Sequence, residues 1–448
     1  MAKGKKTKKN KKNGSIWKWV LYASGGIILT LVFVLGIVWW NVEGSKTDLE
    51  KRGFEDRGLP VMEINLADGL ELSEIDDGPK ETKYEGNEVV VYENGEASKH
   101  NGVEMKGRGN TTWRQEKKPY QIKFPHNVDL LGLGKAKKWI LLSNYLDASY
   151  LRNYIALVLA EMIGVKYNHV GDFVELYING DYRGLYYAIQ KIEISKGSVD
   201  LRENNSALFE IDTLHKNEEN CNMTYLDECL IFKDSKNGID NSGLVEDFLE
   251  DLNMAEKMAM GQDFENVDKI LDINSFAKYF LVNEFTVNPD AYTSSFYMYR
   301  NDEGKIAAGP VWDFDFSLAN HEWWWRVDER FFSPRESMIR KREVFGQDGI
   351  TEDKNTSKLV YYLMEMPEFQ DEVNTEFCRS MSGRGGEIIR LLEKKADEIK
   401  LAAENDSKKW RMNDFRGEWL EMRNWIKERY DYFEEIYGNS GQKTTVSI

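Results

Sequence analysis

Two aspartates separated by a single residue are the feature of this sequence with the clearest chemical consequence. Asp313 and Asp315 stand in the stretch 311–316, Val-Trp-Asp-Phe-Asp-Phe, where apolar and acidic side chains alternate. This alternation predicts a strand over 310–316 with both carboxylates on one face, about 7 Å apart. Such carboxylates repel each other unless a cation or hydrogen-bond donors lie between them. The stretch is therefore either a site for Mg²⁺ or Mn²⁺, which favour oxygen ligands, or a solvated acidic face on an edge strand.

A third carboxylate precedes this pair. Asp290 follows Asn288-Pro289 and stands 23 residues before Asp313. Phosphoryl-transfer sites have a similar order, in which one Asp in a loop accepts the hydroxyl proton and a later Asp holds the metal. Taken alone, Asn-Pro-Asp predicts no more than a turn.

A glycine-rich segment with basic neighbours is a further candidate site. The stretch 106–112, Lys-Gly-Arg-Gly-Asn-Thr-Thr, offers backbone N–H groups, Arg108, Asn110 and hydroxyls that suit a phosphate. Its spacing matches neither of the two common glycine-rich nucleotide fingerprints, so a β-turn is the alternative. Lys123 follows in the segment 120–124, where alternating apolar residues turn it toward the polar face.

Hydrophobic patterning predicts a scaffold of the α+β class for these residues. Strands are predicted at 59–66, 88–92, 120–124, 173–178, 184–189, 295–300 and 310–316, with a hairpin turn at Asn179-Gly180. Helices are predicted at 147–163, which Gly164 ends, and at about 243–260, 264–284, 356–376, 385–404 and 417–437. We expect a β-rich part at about 59–200, a polar inserted loop at 202–240 and a helical part at about 243–440.

The charge is distributed unevenly along the chain. The formal net charge is −16, but residues 1–18 hold eight lysines and no acid, and residues 19–40 hold no charge. The remainder therefore holds 52 basic and 76 acidic residues. Such an acidic part argues against nucleic-acid binding. A mean hydropathy of −0.58 argues against a polytopic membrane protein, and 12% aromatic residues argue against a disordered chain.

The uncharged run 19–40 predicts a single transmembrane signal anchor. Its 22 residues span roughly 33 Å as a helix, and tryptophans flank both of its ends. The positive-inside rule keeps the basic tail 1–18 in the cytoplasm, which places a stalk at 41–58 and a main domain at 59–440 outside the cell membrane. A cleaved signal peptide is the alternative, although no small-residue cleavage site follows the run.

Cysteine, histidine and tryptophan leave some alternatives open. Cys221 and Cys229 either close a small loop through a disulfide in an oxidising exterior or remain thiols like Cys378. The five scattered histidines argue against a His-based metal site. The cluster Trp323–Trp325 predicts either a surface that stacks on sugars or binds a partner, or a loop packed against the core.

Five stretches, taken in order, resemble the CotH (spore-coat protein H) kinase family of atypical protein kinases. They span roughly 60–330 and are KGRGNTTW at 106–113, KKPYQIKF at 117–124, WILLSNYLD at 139–147 with Leu151-Arg152-Asn153, YINGDYRGLY at 177–186 and GPVWDFD at 309–315. The resemblance implies a kinase-like core that uses ATP and Mg²⁺ or Mn²⁺ to phosphorylate Ser or Thr of proteins.

The resemblance also implies roles for particular residues. Carried over residue by residue, the resemblance implies Asp290 as the catalytic carboxylate, Asp313 as the metal-binding aspartate and Asp315 as a further metal ligand. Lys123 is implied as the lysine that contacts the ATP phosphates.

The remaining implied contacts concern the nucleotide. Arg108 and Asn110 are implied to lie in a nucleotide-facing loop. Gln190 stands where the family pattern has Glu, so this chain departs from the family at a position we expect to contact the nucleotide.

We therefore expect a membrane-anchored protein kinase that acts on extracytoplasmic or spore-coat-type proteins. Its acidic main domain favours basic, Lys-rich substrates through electrostatic steering. The alternative is a non-catalytic surface protein that binds cell-wall glycan or a protein partner through its aromatic residues. A third interpretation is a metal-dependent hydrolase, or another phosphotransferase, that uses the same carboxylates.

Overall fold

The computed structural model describes most of the chain between residues 52 and 438. The described ranges are 52–203, 206–212, 216, 218–236, 242–320, 333–337, 343–346, 349–352 and 358–438. The chain divides into two compact units, Met1–Asp56 with Asn94–Ala97, and Arg57–Glu93 with Ser98–Ile448. Of the first unit, the described residues are 52–56 and the hairpin tip Asn94–Ala97; the architecture below is that of the second unit.

Several sequence predictions concern residues outside the described ranges. They are the basic tail 1–18, the anchor 19–40, residues 41–51 of the stalk and the tryptophans Trp323–Trp325. No helix in the described part of the chain combines the length and the apolar character needed to cross a membrane.

The β-rich half is built on a closed barrel of seven strands. These are β1 (Val61–Asn65), β2 (Tyr84–Glu93), β3 (Glu96–Gly107), β4 (Tyr120–Asp129), β5 (Lys135–Leu142), β6 (Asp172–Ile178) and β7 (Asp181–Gln190), in the order β1-β2-β3-β4-β5-β7-β6. A parallel pairing of β1 with β6 closes the barrel. Met105 on β3, Ile122 on β4 and Trp139 on β5 help to fill its interior. Because successive side chains of a strand point to opposite faces, the residues next to these three face outward.

A second sheet follows the barrel in the chain. Its strands are β8 (Ala207–Ile211), β9 (Cys221–Met223), β10 (Cys229–Ser235), β11 (Phe296–Arg300) and β12 (Ile306–Ala308), in the order β12-β11-β8-β10-β9. A separate hairpin pairs β13 (Glu343–Gly346) with β14 (Gly349–Glu352).

The second sheet corrects the prediction of an irregular loop at 202–240. Three of its strands lie in that polar stretch because a few apolar side chains there, among them Phe209 and Leu230, are fully buried. Cys221 and Cys229 form a disulfide that joins β9 to β10, while Cys378 is a free thiol.

Two helices of the described chain lie in the β-rich half, α1 (Leu72–Asp76) and α2 (Arg152–Ile163). Those of the helical half are α3 (Ser242–Met260), α4 (Phe264–Ile270), α5 (Ile273–Thr286), α6 (Lys358–Met364), α7 (Pro367–Ser380), α8 (Gly385–Trp410) and α9 (Phe415–Tyr437). The predicted helices 264–284 and 356–376 are each two helices. In the first case Asp272 caps a new helix by accepting from Ser275 N, and in the second Pro367 begins one.

The helix α2 is buried along almost its whole length, since ten of its twelve residues are buried. A helix that is buried on nearly all sides must pack against several elements at once. Here α2 shares one hydrophobic core with β5, β7 and the helical half. It ends at Gly164 as predicted, with a positive φ of 84° that lets the Gly164 N–H reach the carbonyls of Ala160 and Glu161.

A fully buried ion pair fastens α8 to the barrel. Lys117 Nζ lies 2.7 Å from Asp406 Oδ2 and donates to the carbonyl of Leu185 on β7. Asp406 also accepts from Leu185 N and from the hydroxyl of Tyr150. Burial lowers the pKa of the Lys117 ammonium and raises the pKa of the Asp406 carboxyl, so each charge depends on the other.

Asp406→Asn is therefore expected to lower the free energy of unfolding by about 3 kcal/mol or more, because it leaves the Lys117 ammonium buried without a counter-charge. Urea denaturation followed by circular dichroism measures this loss. The double variant Lys117→Met with Asp406→Asn is the control, and it should recover part of the stability since no charge is then left unpaired. A single variant as stable as the parent protein would contradict the assignment.

Candidate active site

The segment that carries Asp313 and Asp315 is irregular, which corrects the predicted strand at 310–316. It follows β12 through a cis peptide bond between Gly309 and Pro310, and it continues into turns. Asp313 has a φ of 67°, a backbone conformation that non-glycine residues seldom adopt. The two carboxylates are therefore presented by a turn rather than by one face of a strand.

The start of α2 holds this segment in place. Asn153 Nδ2 donates to Asp315 Oδ1, and Asn153 Oδ1 accepts from Phe314 N at 3.0 Å. Arg152, almost fully buried, pairs with Asp147 and donates from Nε to the Ser317 carbonyl at 3.1 Å. The Leu-Arg-Asn motif therefore positions the acidic segment, a role that the sequence stretch did not disclose.

The loop after α5 supplies the third carboxylate. Asn288 Nδ2 donates to the carbonyl of Asp313 at 3.1 Å, and Asn288 Oδ1 accepts from Asp290 N at 3.2 Å. One amide thus connects the Asp290 loop to the Asp313 turn. This contact joins two segments that the sequence separates by 23 residues.

Left-handed backbone is concentrated in the same region. Besides Asp313, the residues with positive φ are Val287 (47°), Tyr292 (69°), Ser295 (55°), Leu318 (51°) and Ala319 (54°). A β-branched residue such as Val287 is a genuine outlier at positive φ. Strain of this kind persists only where the surroundings hold it, and it is typical of functional sites.

The guanidinium of Arg108 faces the carboxylates from the barrel side. It lies over the ring of Trp312, with 5.0 Å between Cζ and the ring centroid, and forms no ion pair with any described residue. Burial lowers its pKa, while Asp313, Asp315 and Glu210 are close enough to raise it. An arginine without a paired carboxylate beside two aspartates offers fork-shaped donors to an anion.

The carboxylates themselves are crowded. Burial raises the pKa of the Asp313 carboxyl, against the attraction of Arg108. Burial in the first place, and then the charges of Asp313, Asp147 and Asp290, raise the pKa of Asp315 to about 8, although the hydrogen bond from Asn153 acts in the opposite direction. Ser295 Oγ donates to Asp313 Oδ2 at 3.4 Å and favours its charged form. A cation between the carboxylates would relieve the repulsion.

The outer face of the barrel next to Arg108 carries further basic residues. Glu104 on β3 lies opposite Lys123 on β4, and Lys123 lies opposite Lys138 on β5. Residues in register share a face, and Ile122 belongs to the barrel interior, so this row faces outward as predicted for Lys123. Lys123 Nζ lies 3.5 Å from Glu104 Oε2, which is its ion-pair partner.

Two predicted nucleotide contacts have other surroundings. The side chain of Asn110 accepts from Lys80, which also donates to the Gly109 carbonyl at 3.0 Å. Gln190 lies opposite Trp139, a residue of the barrel interior, and donates from Nε2 to the Leu133 carbonyl at 2.7 Å. The structure thus brings Arg108 to the aspartates, places Gln190 in the wall of the pocket beside Trp312 and gives both amides protein partners; their contacts with a nucleotide stay predictions.

The glycine-rich stretch has a packing reason for its first glycine. A Cβ at Gly107 would lie 2.5 Å from the ring of Trp113, so no larger residue fits there. The glycine lets the tryptophan cover the end of β3, and Arg108 follows immediately. The first glycine of the stretch thus helps to position Arg108, and the contact of the stretch with a phosphate stays a prediction.

A small pocket lies beside Trp312. Its walls include Ile189 and Ile192 from the end of β7 and the loop after it, together with Tyr167 and His169. Trp312 is part of the pocket wall, and Arg108 lies over the ring of the same residue. The pocket is therefore next to the charged groups of the site.

The donors fit Mg²⁺ or Mn²⁺. Within the described ranges, no group of three or more His, Cys, Asp or Glu side chains is arranged to enclose a metal ion. Mg²⁺ is commonly held by one or two carboxylates, with waters and substrate phosphates completing its coordination. Asp313 and Asp315, crowded and half-buried, are suited to that mode.

A seven-stranded barrel that carries Arg108, placed against two loops that carry aspartates, defines an α+β protein with a cluster of opposite charges between its β-rich and helical parts. The sequence profile of the CotH kinase protein family matches residues 105–433 of this chain. Because the match covers most of the chain, the protein belongs to the CotH kinase protein family. Membership implies an atypical, ATP-using kinase at the level of the family. No individually curated protein matches the chain significantly.

Proposed function

We propose that this protein is a metal-dependent kinase that transfers the γ-phosphate of ATP to Ser or Thr hydroxyls of proteins outside the cytoplasm. The observation that carries the proposal is the position of Arg108. Its guanidinium lies on Trp312, close to Asp313 and Asp315, and has no ion-pair partner in the described part of the chain. A phosphate bound to a metal would complete this arrangement of charges.

Each side chain then has a distinct task. Asp290 accepts the proton of the attacking hydroxyl, as the catalytic-loop aspartate does in other kinases. Arg108 binds phosphate oxygens and balances their charge. Asp313 and Asp315 hold the metal ion, which when bound neutralises charge on the phosphates.

Positioning falls to the amides around the acidic residues. Asn153 fixes Asp315 and the Phe314 N–H, while Asn288 connects Asp313 to the loop of Asp290. Because each amide contacts two groups, the carboxylates keep their relative places before substrate binds. Such preorganisation lowers the reorganisation required at the moment of transfer.

Transfer from radiolabelled ATP tests the proposed activity. The full-length protein in detergent is incubated with γ-labelled ATP, Mn²⁺ or Mg²⁺, and either a Lys-rich or an acidic test protein at low salt. We expect labelling of Ser or Thr, faster on the Lys-rich protein because of the acidic main domain. Asp302→Asn, at an exposed turn outside the site, serves as the matched control and should retain activity. Absence of transfer from the parent protein, with Asp313→Ala indistinguishable from it, would refute the proposal.

We also propose that residues 19–40 anchor the protein, with the basic tail inside and the main domain outside the cytoplasm. The asymmetry of charge around the apolar run supports this orientation. Protease added to intact cells should digest the main domain and spare the tail. If the main domain were digested only after the cells are lysed, it would lie in the cytoplasm, and the proposed orientation would be wrong.

A further inference from the structure

Lys191 is a basic residue that neither the motif spacing nor the family resemblance singles out. It follows β7 directly and continues the outward-facing row of Lys123 and Lys138, since its N–H donates to the Lys138 carbonyl at 3.1 Å. Its own carbonyl accepts from Ser198 Oγ at 3.1 Å. The backbone of Lys191 is thus fixed on both sides before any ligand binds.

The ammonium of Lys191 has no partner carboxylate in the described chain. The two acids near it, Glu193 and Asp234, are already engaged. Glu193 lies 2.5 Å from Lys138 Nζ. Asp234 accepts from the Ile194 N–H through one oxygen and from its neighbour Ser235 through the other, each at 2.9 Å. Lys191 is half-buried, so the missing partner leaves a poorly solvated charge.

The other charged groups that face Lys191 are cations. Lys138 approaches from β5 and Arg108 from the end of β3, and both oppose its positive charge. The neighbours of Lys191 in the chain, Gln190 and Ile192, line the pocket beside Trp312. Two half-buried cations without carboxylate partners, Arg108 and Lys191, therefore lie near the pocket.

We propose that Lys191 and Arg108 together bind the phosphate oxygens of the nucleotide, with Lys191 contacting it from the end of β7. This inference rests on the proposed kinase function and assigns part of its nucleotide site. A polyphosphate is the ligand whose charge opposes both cations at once, and its oxygens can accept the free donors of both side chains.

Lys191 carries a pH signature that Arg108 lacks. Burial, together with Lys138 and Arg108, lowers the pKa of Lys191 to about 8, although Glu193 and Asp234 act in the opposite direction. Lys191 binds the phosphate oxygens in its protonated form, so this contact is lost as the pH rises through about 8. Nucleotide affinity should therefore fall between pH 7.5 and 9.5, an interval in which the phosphates are already ionised.

Isothermal titration of the full-length protein with ATP, pyrophosphate and adenosine tests the assignment without relying on activity. We expect Lys191→Met to weaken binding of ATP and pyrophosphate about tenfold or more at pH 7.5 and to leave adenosine binding unchanged. Lys191→Arg should retain ATP binding at pH 7.5 and remove its decline toward pH 9.5. Lys196→Met, at an exposed lysine of the same loop, is the matched control and should bind ATP like the parent protein.

The outcomes separate this inference from the proposed function. ATP binding by the parent protein together with equal binding by Lys191→Met would overturn the role of Lys191 and leave the kinase proposal standing. Absence of ATP binding by the parent protein would overturn both. Weakening of adenosine and ATP binding to the same extent would show that the substitution disturbs the pocket and would also overturn a phosphate contact.

Discussion

Asp313→Asn is expected to reduce phosphoryl transfer by about 10³-fold while the protein stays folded. The substitution keeps the shape of the side chain and its contact with Ser295 but removes the negative charge that a metal ion requires. It should also abolish the increase in melting temperature that Mn²⁺ with ATP produces in the parent protein, because binding to the native state is the source of that increase.

The structure also predicts the stability of this variant without metal. Burial and the carboxylate of Glu210 disfavour the charge of Asp313, whereas Arg108 favours it. Asp313→Asn removes both the repulsion by Glu210 and the attraction by Arg108, and these two effects offset each other. The melting temperature of the metal-free variant should therefore stay close to that of the parent protein. Differential scanning fluorimetry with and without Mn²⁺ and ATP measures both quantities.

Asp302→Asn provides the comparison for Asp313→Asn, since it makes the same chemical change at an exposed turn. It should retain both transfer and the shift in melting temperature. If Asp313→Asn kept a shift as large as that of Asp302→Asn, Asp313 would not be a metal ligand, and the site would have to be sought elsewhere.

Asp290→Asn is expected to separate catalysis from binding. An amide cannot accept the proton of the attacking hydroxyl, so the rate of transfer should fall by about 10²- to 10⁴-fold. The backbone contact from Asp290 N to Asn288 remains available, and the loop should keep its conformation. Binding of ATP with Mn²⁺, measured by calorimetry, should change little.

The contrast between the two aspartates is the informative result. Asp313→Asn should lose metal-dependent binding and transfer together, whereas Asp290→Asn should lose transfer alone. Equal loss of nucleotide binding in both variants would assign Asp290 to the metal site instead. An unchanged turnover number in Asp290→Asn would remove it from the reaction altogether.

Local patterns predicted the elements that are regular in themselves. Strict alternation located β4, and Asn179-Gly180 located the turn between β6 and β7. The apolar periodicity of α2 and the glycine at its end were also recognisable, because these signals depend only on neighbours in the chain. The strands β3 and β5 were missed because their exposed halves are rich in charged residues.

The acidic segment shows where such patterns mislead. Alternation of apolar and acidic residues at 311–316 has the period of a strand, yet the chain there forms turns. The backbone groups that would enter a sheet are bound instead by two distant amides, Asn153 and Asn288. A long-range hydrogen bond of this kind has no signature in local sequence.

The sequence alone determined the α+β class, the order of the kinase-like motifs and the three aspartates that are candidates for the chemistry. Only the tertiary structure decided how these aspartates are held, which cation faces them and which protein groups the other candidate side chains contact. Lys191 lies beside Lys138 because β7 pairs with β5, and Arg108 meets Trp312 because the end of β3 packs against the segment that follows β12. The energy of interaction between two charges depends on the distance between them. That distance is set by the packing of elements against one another rather than by spacing along the chain.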